Sequence, residues 1–317
     1  MIQLAIVSAV AGGLFGIVLT GKPFMQANLS PEKAEFFDDN AIDGGQFLQL
    51  NRPVNILVMG MSVLPPDTQN APEESKDLGY FPQVNSFDGL SDVMLLIRFD
   101  PQNNKINMLS IPRDTRTEIE GYGLIKINSA NRLGGAYLSA KSVSSLLGNI
   151  DINGYVRINV LGVGKLIDAL GGVTVNVPKD LKYQDDSQHL YINLKAGEQH
   201  LDGDKALQLL RFRNDRRGDI GRIERQQLLM QALIKQALNP ATLLRSPIIL
   251  GTIKENIDTN LTLDSLLTLV NFGVRTNRSD IEMVTLPGEV SNGREFDASY
   301  WLPDEQQIDE IMARYFN

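Results

Sequence analysis

The chain has 317 residues, of which 43% are hydrophobic, so it can bury a sizeable core as one large domain or as a domain with an appended lobe. Its 30 basic and 38 acidic residues give a net charge of −8, which argues against nucleic-acid binding because phosphate contacts need a basic surface. The sequence contains no cysteine, which excludes disulfides, thiolate zinc sites and cysteine nucleophiles.

An N-terminal apolar segment predicts a membrane anchor. From Ile2 to Thr20 the chain runs for 19 residues without a charge, close to the ~20 residues that a helix needs to cross a bilayer. No basic residue precedes this run, which favours a retained anchor over a cleaved signal peptide, and a buried core helix is the remaining alternative. We therefore expect a transmembrane helix within residues 1–22 and a juxtamembrane linker over residues 23–53.

The domain proper, residues 54–317, opens with apolar runs that predict strands. The first is "NILVMG", whose continuous apolar character is typical of a strand buried on both faces. A long loop with four prolines follows, and loops of this length are uncommon unless they are functional or disordered. The runs "DVMLLIRFD" and "KINMLSIP" then predict two strands joined by the turn "PQNN".

Helical and strand patterns alternate through the rest of the chain. The predicted strands are "YVRINV", "VTVNVP" and "IEMVTLP". The predicted helices are "RLGGAYLSAKSVSSLL", "GVGKLIDALGG", "LDGDKALQLLRFR", "DIGRIERQQLLMQALIKQAL", "LTLDSLLTLVNFGV" and "PDEQQIDEIMARYF". This alternation predicts an α/β fold, with a central mixed β-sheet flanked by helices on both faces.

The segment "LSIPRDT" places charged residues where a predicted strand ends. Pro112 stops ladder pairing, and its fixed backbone aims the next two side chains, Arg113 and Asp114. Open α/β sheets keep their ligand sites at such strand ends. The alternative is an ordinary turn that carries an arginine–aspartate pair.

A second segment, Arg211 to Gln226, concentrates arginine in an otherwise acidic chain. It holds six arginines against three acids, a local net charge of +3. Guanidinium groups suit bidentate recognition of phosphate or carboxylate. Arg222, Arg225 and Gln226 share a face near the start of a predicted helix, where unpaired N–H groups favour an anion. The alternative is a solvated turn with internal salt bridges.

Asp92 and the tripeptide "KIN" add further polar groups to those of Arg113 and Asp114. Asp92, preceded by Ser91 at the head of its strand, supplies a carboxylate of the kind that holds Mg²⁺ through oxygen. The tripeptide "KIN", Lys126 to Asn128, adds a cation and an amide. The sequence therefore predicts an anion site with a metal carboxylate beside it.

The order of these motifs resembles the LytR-CpsA-Psr family of cell-envelope enzymes. The resemblance is carried from Asn55 to about Leu238 by "NILVMG", "SD", "RFDP", "SIPRDT", "KIN", "LDG", "RFR" and "RGDIGR" followed by "RQ". It implies a single-pass membrane protein with an extracytoplasmic catalytic domain. That domain would have a motif-bearing core at 55–238, further helices and a strand over 239–317, and a polyprenyl chain held between sheet and helices.

The resemblance also implies an activity. Such a protein is a phosphotransferase that moves a glycopolymer, as its sugar-phosphate, from a polyprenyl-pyrophosphate carrier to peptidoglycan or another envelope acceptor. Its cofactor would be Mg²⁺ or Mn²⁺, pyrophosphate hydrolysis would be a side reaction, and nucleic acid would not be a partner. Carried onto this chain, the pyrophosphate-binding residues would be Arg113, Lys126, Asn128, Arg211, Arg213, Arg222, Arg225 and Gln226. The expected catalytic residues are Arg113, Asp114 and Arg222, and the expected metal carboxylate is Asp92.

One position departs from the family pattern. Many members carry an aspartate two residues after the glycine of the first strand, where this chain has Ser62. A hydroxyl is a weaker Mg²⁺ ligand than a carboxylate, so metal affinity falls unless Asp67 or Asp88 substitutes. This departure keeps open an envelope protein that binds polyprenyl phosphates with weak or no turnover. An envelope-linked regulatory protein is a further alternative to the enzyme.

Overall fold

The described part of the chain covers most of the predicted domain. The computed structural model describes residues 29–37, 42, 49–62, 87–185, 190–212, 218–237, 239, 249, 251–252, 254–291, 296 and 298–316. Within these ranges, no helix has the length and apolar character needed to cross a membrane. The predicted anchor, residues 1–22, lies outside the described residues.

The strands and helices follow the predicted alternation closely. The strands are β1 (Val54–Ser62), β2 (Leu90–Asp100), β3 (Lys105–Ile111), β4 (Arg116–Ile119), β5 (Gly123–Lys126), β6 (Gly154–Asn159), β7 (Val173–Val177), β8 (Leu181–Asp185), β9 (Leu190–Leu194), β10 (Gly197–Leu201), β11 (Ile257–Thr259), β12 (Ile281–Thr285), β13 (Gly288–Val290) and β14 (Trp301–Pro303). The helices are α1 (Pro31–Ala34), α2 (Ser129–Leu146), α3 (Val160–Ala169), α4 (Gly203–Arg211), α5 (Gly218–Ala237), α6 (Leu263–Arg275) and α7 (Glu305–Tyr315).

Among the described residues, six strands form one central sheet in the order β11-β6-β1-β2-β3-β12. The pairs β1–β2, β2–β3 and β6–β11 are antiparallel, whereas β1–β6 and β3–β12 are parallel. The predicted mixed α/β sheet is therefore confirmed. The antiparallel hairpin β2–β3 ends at the turn that carries Arg113.

Both faces of the central sheet are covered by helices, which is why β1 is apolar at successive positions. Leu57, Met59 and Met61 point into a core that α2 and α7 close. Val54 and Ile56 point to the other face, where α6 packs. Strands buried on both faces lose the polar alternation of a half-exposed strand.

A second hydrophobic cluster lies under α3, α4 and α5. It is lined by β7 and β10, which pair with each other, and by β8 and β9, which form a hairpin. Helix α4 begins where the sequence predicts, because the Asp202 carboxylate accepts a hydrogen bond from the Lys205 amide at 2.8 Å. This lobe delivers Arg211, the last residue of α4.

Several short elements were not predicted from the sequence. The hairpins β4–β5, β8–β9 and β13–β14 have strands of three to five residues, too short for a periodic signal. Helix α2, predicted as continuous, is broken at Gly134 and Gly135, the latter with φ +70°. Part of the predicted linker is also packed, since Phe37, Ile42 and Leu50 are buried in the domain.

Candidate functional site

The turn after β3 is closed tightly by its own backbone. The Pro112 carbonyl accepts hydrogen bonds from the Thr115 amide at 3.0 Å and from the Thr115 hydroxyl at 2.6 Å. Thr115 is fully buried, and the Asp114 carbonyl accepts a hydrogen bond from the Trp301 amide at 2.9 Å. Arg113 and Asp114, which lie between these anchors, are therefore held at the end of β3, where the central sheet stops.

Asp92 is aimed toward this turn by an irregularity in β2. Gly60 of β1 lies opposite Val93, but the next residue, Met61, lies opposite Ser91. Asp92 is consequently the extra residue of a β-bulge. A bulge breaks the ladder locally and redirects one side chain, which is why such irregularities are common beside functional sites.

Arg113 joins two carboxylates that come from different elements. Its Nη1 lies 2.7 Å from Asp92 Oδ1, and its Nε lies 3.4 Å from Asp114 Oδ2. Asp114 Oδ1 in turn lies 2.8 Å from the ammonium nitrogen of Lys126, which ends β5. We call these four residues the Arg113 cluster. Its side chains are 14–29% exposed, so the cluster is shielded yet open to a ligand.

The backbone of Asn128 ties the two sides of the cluster together. Its amide donates to the Arg113 carbonyl at 3.2 Å, and its own carbonyl accepts from the Ser91 amide at 3.3 Å. Asn128 is 3% exposed and sits immediately before α2. Its main chain thus fixes the spacing between the bulge at Asp92 and the turn at Arg113, a role that the residue type alone does not indicate.

The arginine-rich segment is described only in part. Arg211 is half-buried at the end of α4, and Arg213 lies outside the described residues. The backbones of Arg222 and Gln226 lie in the first half of α5, whereas their side chains lie outside the described set. The predicted helix across this segment is observed, and it places Arg222, Arg225 and Gln226 within about one turn of each other.

Arg225 lies inside the lobe rather than on its surface. Its side chain is 2% exposed, its Nη2 donates to the Phe212 carbonyl at 2.8 Å, and its guanidinium lies 5.2 Å from the centre of the Phe212 ring. Phe212 is the residue between Arg211 and Arg213. Arg225 therefore holds the backbone of the "RFR" motif in place.

The carboxylate of Asp92 suits a metal ion whose other ligands come mainly from the phosphates of a substrate. No group of three or more acidic or histidine side chains that could hold a metal occurs among the described residues. Asp92 nevertheless offers a partly exposed carboxylate beside two cations, and Mg²⁺ commonly takes one or two carboxylates with the remaining oxygens from phosphate and water. The Ser62 backbone ends β1 opposite Leu90, two residues from Asp92, and its side chain lies outside the described set, as does Asp67.

A hydrogen-bond network that sequence reasoning missed joins β6, β11, α2 and the segment before β2. Arg157 of β6 contacts Asp258 Oδ2 through Nε at 2.7 Å and through Nη2 at 2.6 Å. Its Nη1 donates to Asn131 Oδ1 at 3.0 Å, and the Asn131 amide donates to the carbonyls of Phe87 and Gly89 at 2.7 Å each. These bonds hold the segment that leads into β2, in which Gly89 lies three residues before Asp92. Its partners lie far apart in the sequence, so no local pattern could have predicted it.

The chain is similar to known proteins over almost its whole length. The LytR_cpsA_psr family model matches residues 21–317. A polyisoprenyl-teichoic acid–peptidoglycan teichoic acid transferase, TagU of Bacillus anthracis, is 34% identical over 278 residues, 86% of this chain and 81% of that protein. The protein of the same name from Oceanobacillus iheyensis is 32% identical over 321 residues, covering 98% and 90%. The crystal structure of B. subtilis TagV matches with a TM-score of 0.65 at 28% identity, over 83% of this chain and 97% of that one.

Proposed function

Because this chain belongs to the LytR-CpsA-Psr family, we propose that it is a phosphotransferase of the cell envelope. Its reaction moves a glycopolymer, as its sugar-phosphate, from a polyprenyl-pyrophosphate carrier to peptidoglycan or another envelope acceptor. The printed names of its relatives support a teichoic acid as that glycopolymer and a polyisoprenyl group as the carrier lipid. The family resemblance drawn from the motifs is confirmed by the match over residues 21–317.

The observation that carries the proposal is the position of Arg113 between Asp92 and Asp114. A guanidinium has five N–H donors in a planar fork. The guanidinium of Arg113 is held beyond the end of β3 by a closed turn. Lys126 adds a second cation through Asp114. Positioned cations of this kind stabilise the charge that develops on a pyrophosphate during transfer.

The proposed chemistry follows from those positions. The acceptor hydroxyl oxygen forms a bond to the phosphorus that carries the sugar, the bridging P–O bond breaks, and polyprenyl phosphate leaves with the bonding electrons. The hydroxyl proton passes to bulk water in the same step. Arg113 and Lys126, with Arg211, Arg213 and Arg222 of the second segment, neutralise the two phosphates. Water in place of the acceptor would give pyrophosphate hydrolysis.

Asp92 and Asp114 have different parts in this proposal. Asp114 contacts both cations of the Arg113 cluster, so we assign it to holding Arg113 and Lys126 at a fixed separation. Asp92 contacts Arg113 and would hold Mg²⁺ or Mn²⁺, which would supply further positive charge next to the phosphates. Arg225 acts through the backbone of "RFR", and Asn128 acts through the backbone of the turn.

The place of the protein in the cell is part of the same proposal. A polyprenyl carrier and a peptidoglycan acceptor meet at the outer face of the cytoplasmic membrane. The charge-free run from Ile2 to Thr20 would anchor the chain there as a single span, with the domain extracytoplasmic. Fractionation of cells that express the full chain, followed by protease treatment of spheroplasts, tests this orientation.

The activity is tested with the full chain in detergent, a polyprenyl-pyrophosphoryl glycan, Mg²⁺ and peptidoglycan. We expect label to appear on the acceptor together with an equal amount of polyprenyl phosphate. Arg113→Ala should lower the rate by about 10²–10³-fold, the usual loss when one positioned donor is removed. Arg314→Ala, an exposed arginine on α7, is the matched control and should leave the rate unchanged. Undiminished transfer by Arg113→Ala, with native circular dichroism, would contradict the proposal.

Ser62 favours one competing function, a carrier-binding protein without turnover. Its hydroxyl stands where relatives commonly have an acid, so metal binding could be too weak for catalysis. Mass spectrometry of lipid that co-purifies with the chain, combined with the transfer assay, separates the two. A retained polyprenyl phosphate without any Mg²⁺-dependent product would establish the binding protein.

A further inference from the structure

Arg116 extends the line of cations beyond the Arg113 cluster. It begins β4 directly after the turn and lies opposite Lys126 across the β4–β5 hairpin. Directly opposed residues on antiparallel strands project from the same face, with Cβ atoms about 4.5–5.5 Å apart. Lys126 is tied to Asp114, which contacts Arg113. Three cations therefore follow one another from the sheet edge along the hairpin.

Two aromatic rings hold the Arg116 guanidinium. Its central carbon lies 5.1 Å from the centre of the Phe296 ring and 5.9 Å from that of Tyr300. The two rings pack edge to face with centres 5.5 Å apart, and Lys126 Nζ lies 5.6 Å from the Tyr300 centre. A cation–π contact does not use up the N–H donors of a guanidinium, which remain able to bind an oxyanion.

Arg116 differs from Arg113 and Lys126 in the charges that surround it. Arg113 and Lys126 each lie within 4.0 Å of an aspartate, so the Arg113 cluster has no net charge. Within the described ranges, no carboxylate lies within 4.0 Å of the half-buried Arg116 guanidinium. A bound anion at Arg116 therefore does not have to displace a protein carboxylate, and it would be partly shielded from water.

We propose that Arg116, assisted by Lys126, binds a phosphodiester of the donor glycopolymer that lies beyond the pyrophosphate. The inference rests on the proposed function, which puts the pyrophosphate at Arg113. A phosphodiester on the same molecule is tethered to that pyrophosphate, so it reaches a neighbouring site at high effective concentration. Arg116 thereby selects donors whose polymer carries phosphate close to the carrier lipid.

The test compares two synthetic donors by calorimetry on the full chain in detergent. One is farnesyl-pyrophosphoryl-N-acetylglucosamine, and the other carries a glycerol phosphate on the same sugar. Arg116→Ala should weaken binding of the phosphodiester donor about tenfold, the loss expected for one charge-assisted hydrogen bond, and leave the neutral-sugar donor unchanged. Phe296→Leu should show the same selectivity to a smaller extent, because the ring only holds the guanidinium.

The controls separate this inference from the proposed function. Arg314 also makes a cation–π contact, with its guanidinium 5.0 Å from the centre of the Tyr315 ring. Arg314→Ala therefore tests for loss of an arginine–aromatic contact as such and should bind both donors normally. Arg113→Ala should weaken both donors equally. If it weakened neither while Arg116→Ala kept its selectivity, the proposed pyrophosphate site would fail and the subsite would stand.

Two results would overturn the subsite. Equal weakening of both donors by Arg116→Ala would assign the residue to the pyrophosphate instead. Unchanged binding of both donors, with a raised KM for a muramyl-peptide acceptor, would assign it to an acceptor carboxylate.

Discussion

Two arginine–aspartate ion pairs of the described residues, Arg157–Asp258 and Arg113–Asp92, differ in their place in the backbone. Arg157 and Asp258 lie opposite each other on β6 and β11, so the sheet register itself sets their pairing. Arg113 lies in a turn and Asp92 in a bulge, so both stand where regular pairing stops. Their nitrogen–oxygen distances are nearly equal, 2.6 Å and 2.7 Å.

The two pairs differ modestly in burial, and Arg157 makes further contacts with protein oxygens. The side chains of Arg157 and Asp258 are 14% and 10% exposed, and those of Arg113 and Asp92 are 18% and 19%. All three guanidinium nitrogens of Arg157 bind protein oxygens, two on Asp258 and one shared between Asn131 and Phe87. Arg157 therefore has a structural role, because its guanidinium is fully used in joining β6 to β11 and α2.

The largest expected effect is on stability at Arg157. Arg157→Ala leaves Asp258 shielded without its cation, which should lower the free energy of unfolding by about 3 kcal/mol. Arg113→Ala should cost only about 1 kcal/mol, because Asp92 at the bulge can be hydrated. Urea unfolding followed by circular dichroism measures both. Equal losses would show that the two pairs are alike.

A smaller effect is expected when Arg113 is replaced by a residue that keeps the positive charge but lacks the forked guanidinium group. Lysine cannot contact Asp92 and Asp114 through two nitrogens, so Arg113→Lys should lower kcat for transfer by roughly 10²-fold. Arg157→Lys should instead lower the unfolding midpoint and leave kcat per folded molecule near the wild-type value. A normal kcat in Arg113→Lys would mean that charge alone suffices at the cluster.

A third variant tests whether Ser62 belongs to the metal site. Ser62→Asp should tighten Mg²⁺ binding about tenfold in the presence of inorganic pyrophosphate, since ligand charge raises affinity for a hard cation. Ser62→Ala is the matched control and should change the affinity little. Titration calorimetry measures the binding, and an unchanged affinity in Ser62→Asp would place Ser62 outside the metal site.

The smallest effect concerns a carboxylate that is held by amides instead of an arginine. Asp304 caps α7, and its hydrogen bonds from the Gln307 backbone and then the Gln307 side chain keep the pKa of its carboxyl below the usual value. A lowered folded-state pKa stabilises the fold above the unfolded pKa of about 4, and this stabilisation is lost as the pH falls through the folded value. The stability difference between wild type and Asp304→Ala should thus be constant from about pH 7 to 5 and shrink below about pH 4. A difference that persisted in acid would mean that the cap acts without its charge.

Much of the fold could be predicted because its signals are local. The apolar run at β1, the turn after β2 and the helical pattern of α4 each depend on neighbouring residues, and each was found where expected. The short hairpin β4–β5 was missed because four-residue strands carry no periodic signal. That omission concealed the position of Lys126 beside Asp114 and of Arg116 beside the aromatic rings.

The residues of the candidate site could also be predicted, whereas their arrangement could not. Asp92, Arg113, Asp114, Lys126 and Asn128 were selected from motifs, and the structure brings all five together. Their detailed arrangement was not predictable, because it depends on a bulge in β2 and on backbone bonds made by Asn128. Arg225 was expected at the pyrophosphate, yet its contacts show it holding Phe212, since its exposure depends on how α5 packs on the lobe.

The sequence by itself determined the order of strands and helices, the family and the supply of guanidinium groups, since these depend on periodicity and motifs along the chain. Only the tertiary structure decided which carboxylate meets which arginine. Asp92 reaches Arg113 across 21 residues and Asp258 reaches Arg157 across 101. A register change of one residue in β11 would turn Asp258 to the opposite face and break its pair with Arg157, whereas the Arg113 pair depends on the bulge in β2 and the turn after β3.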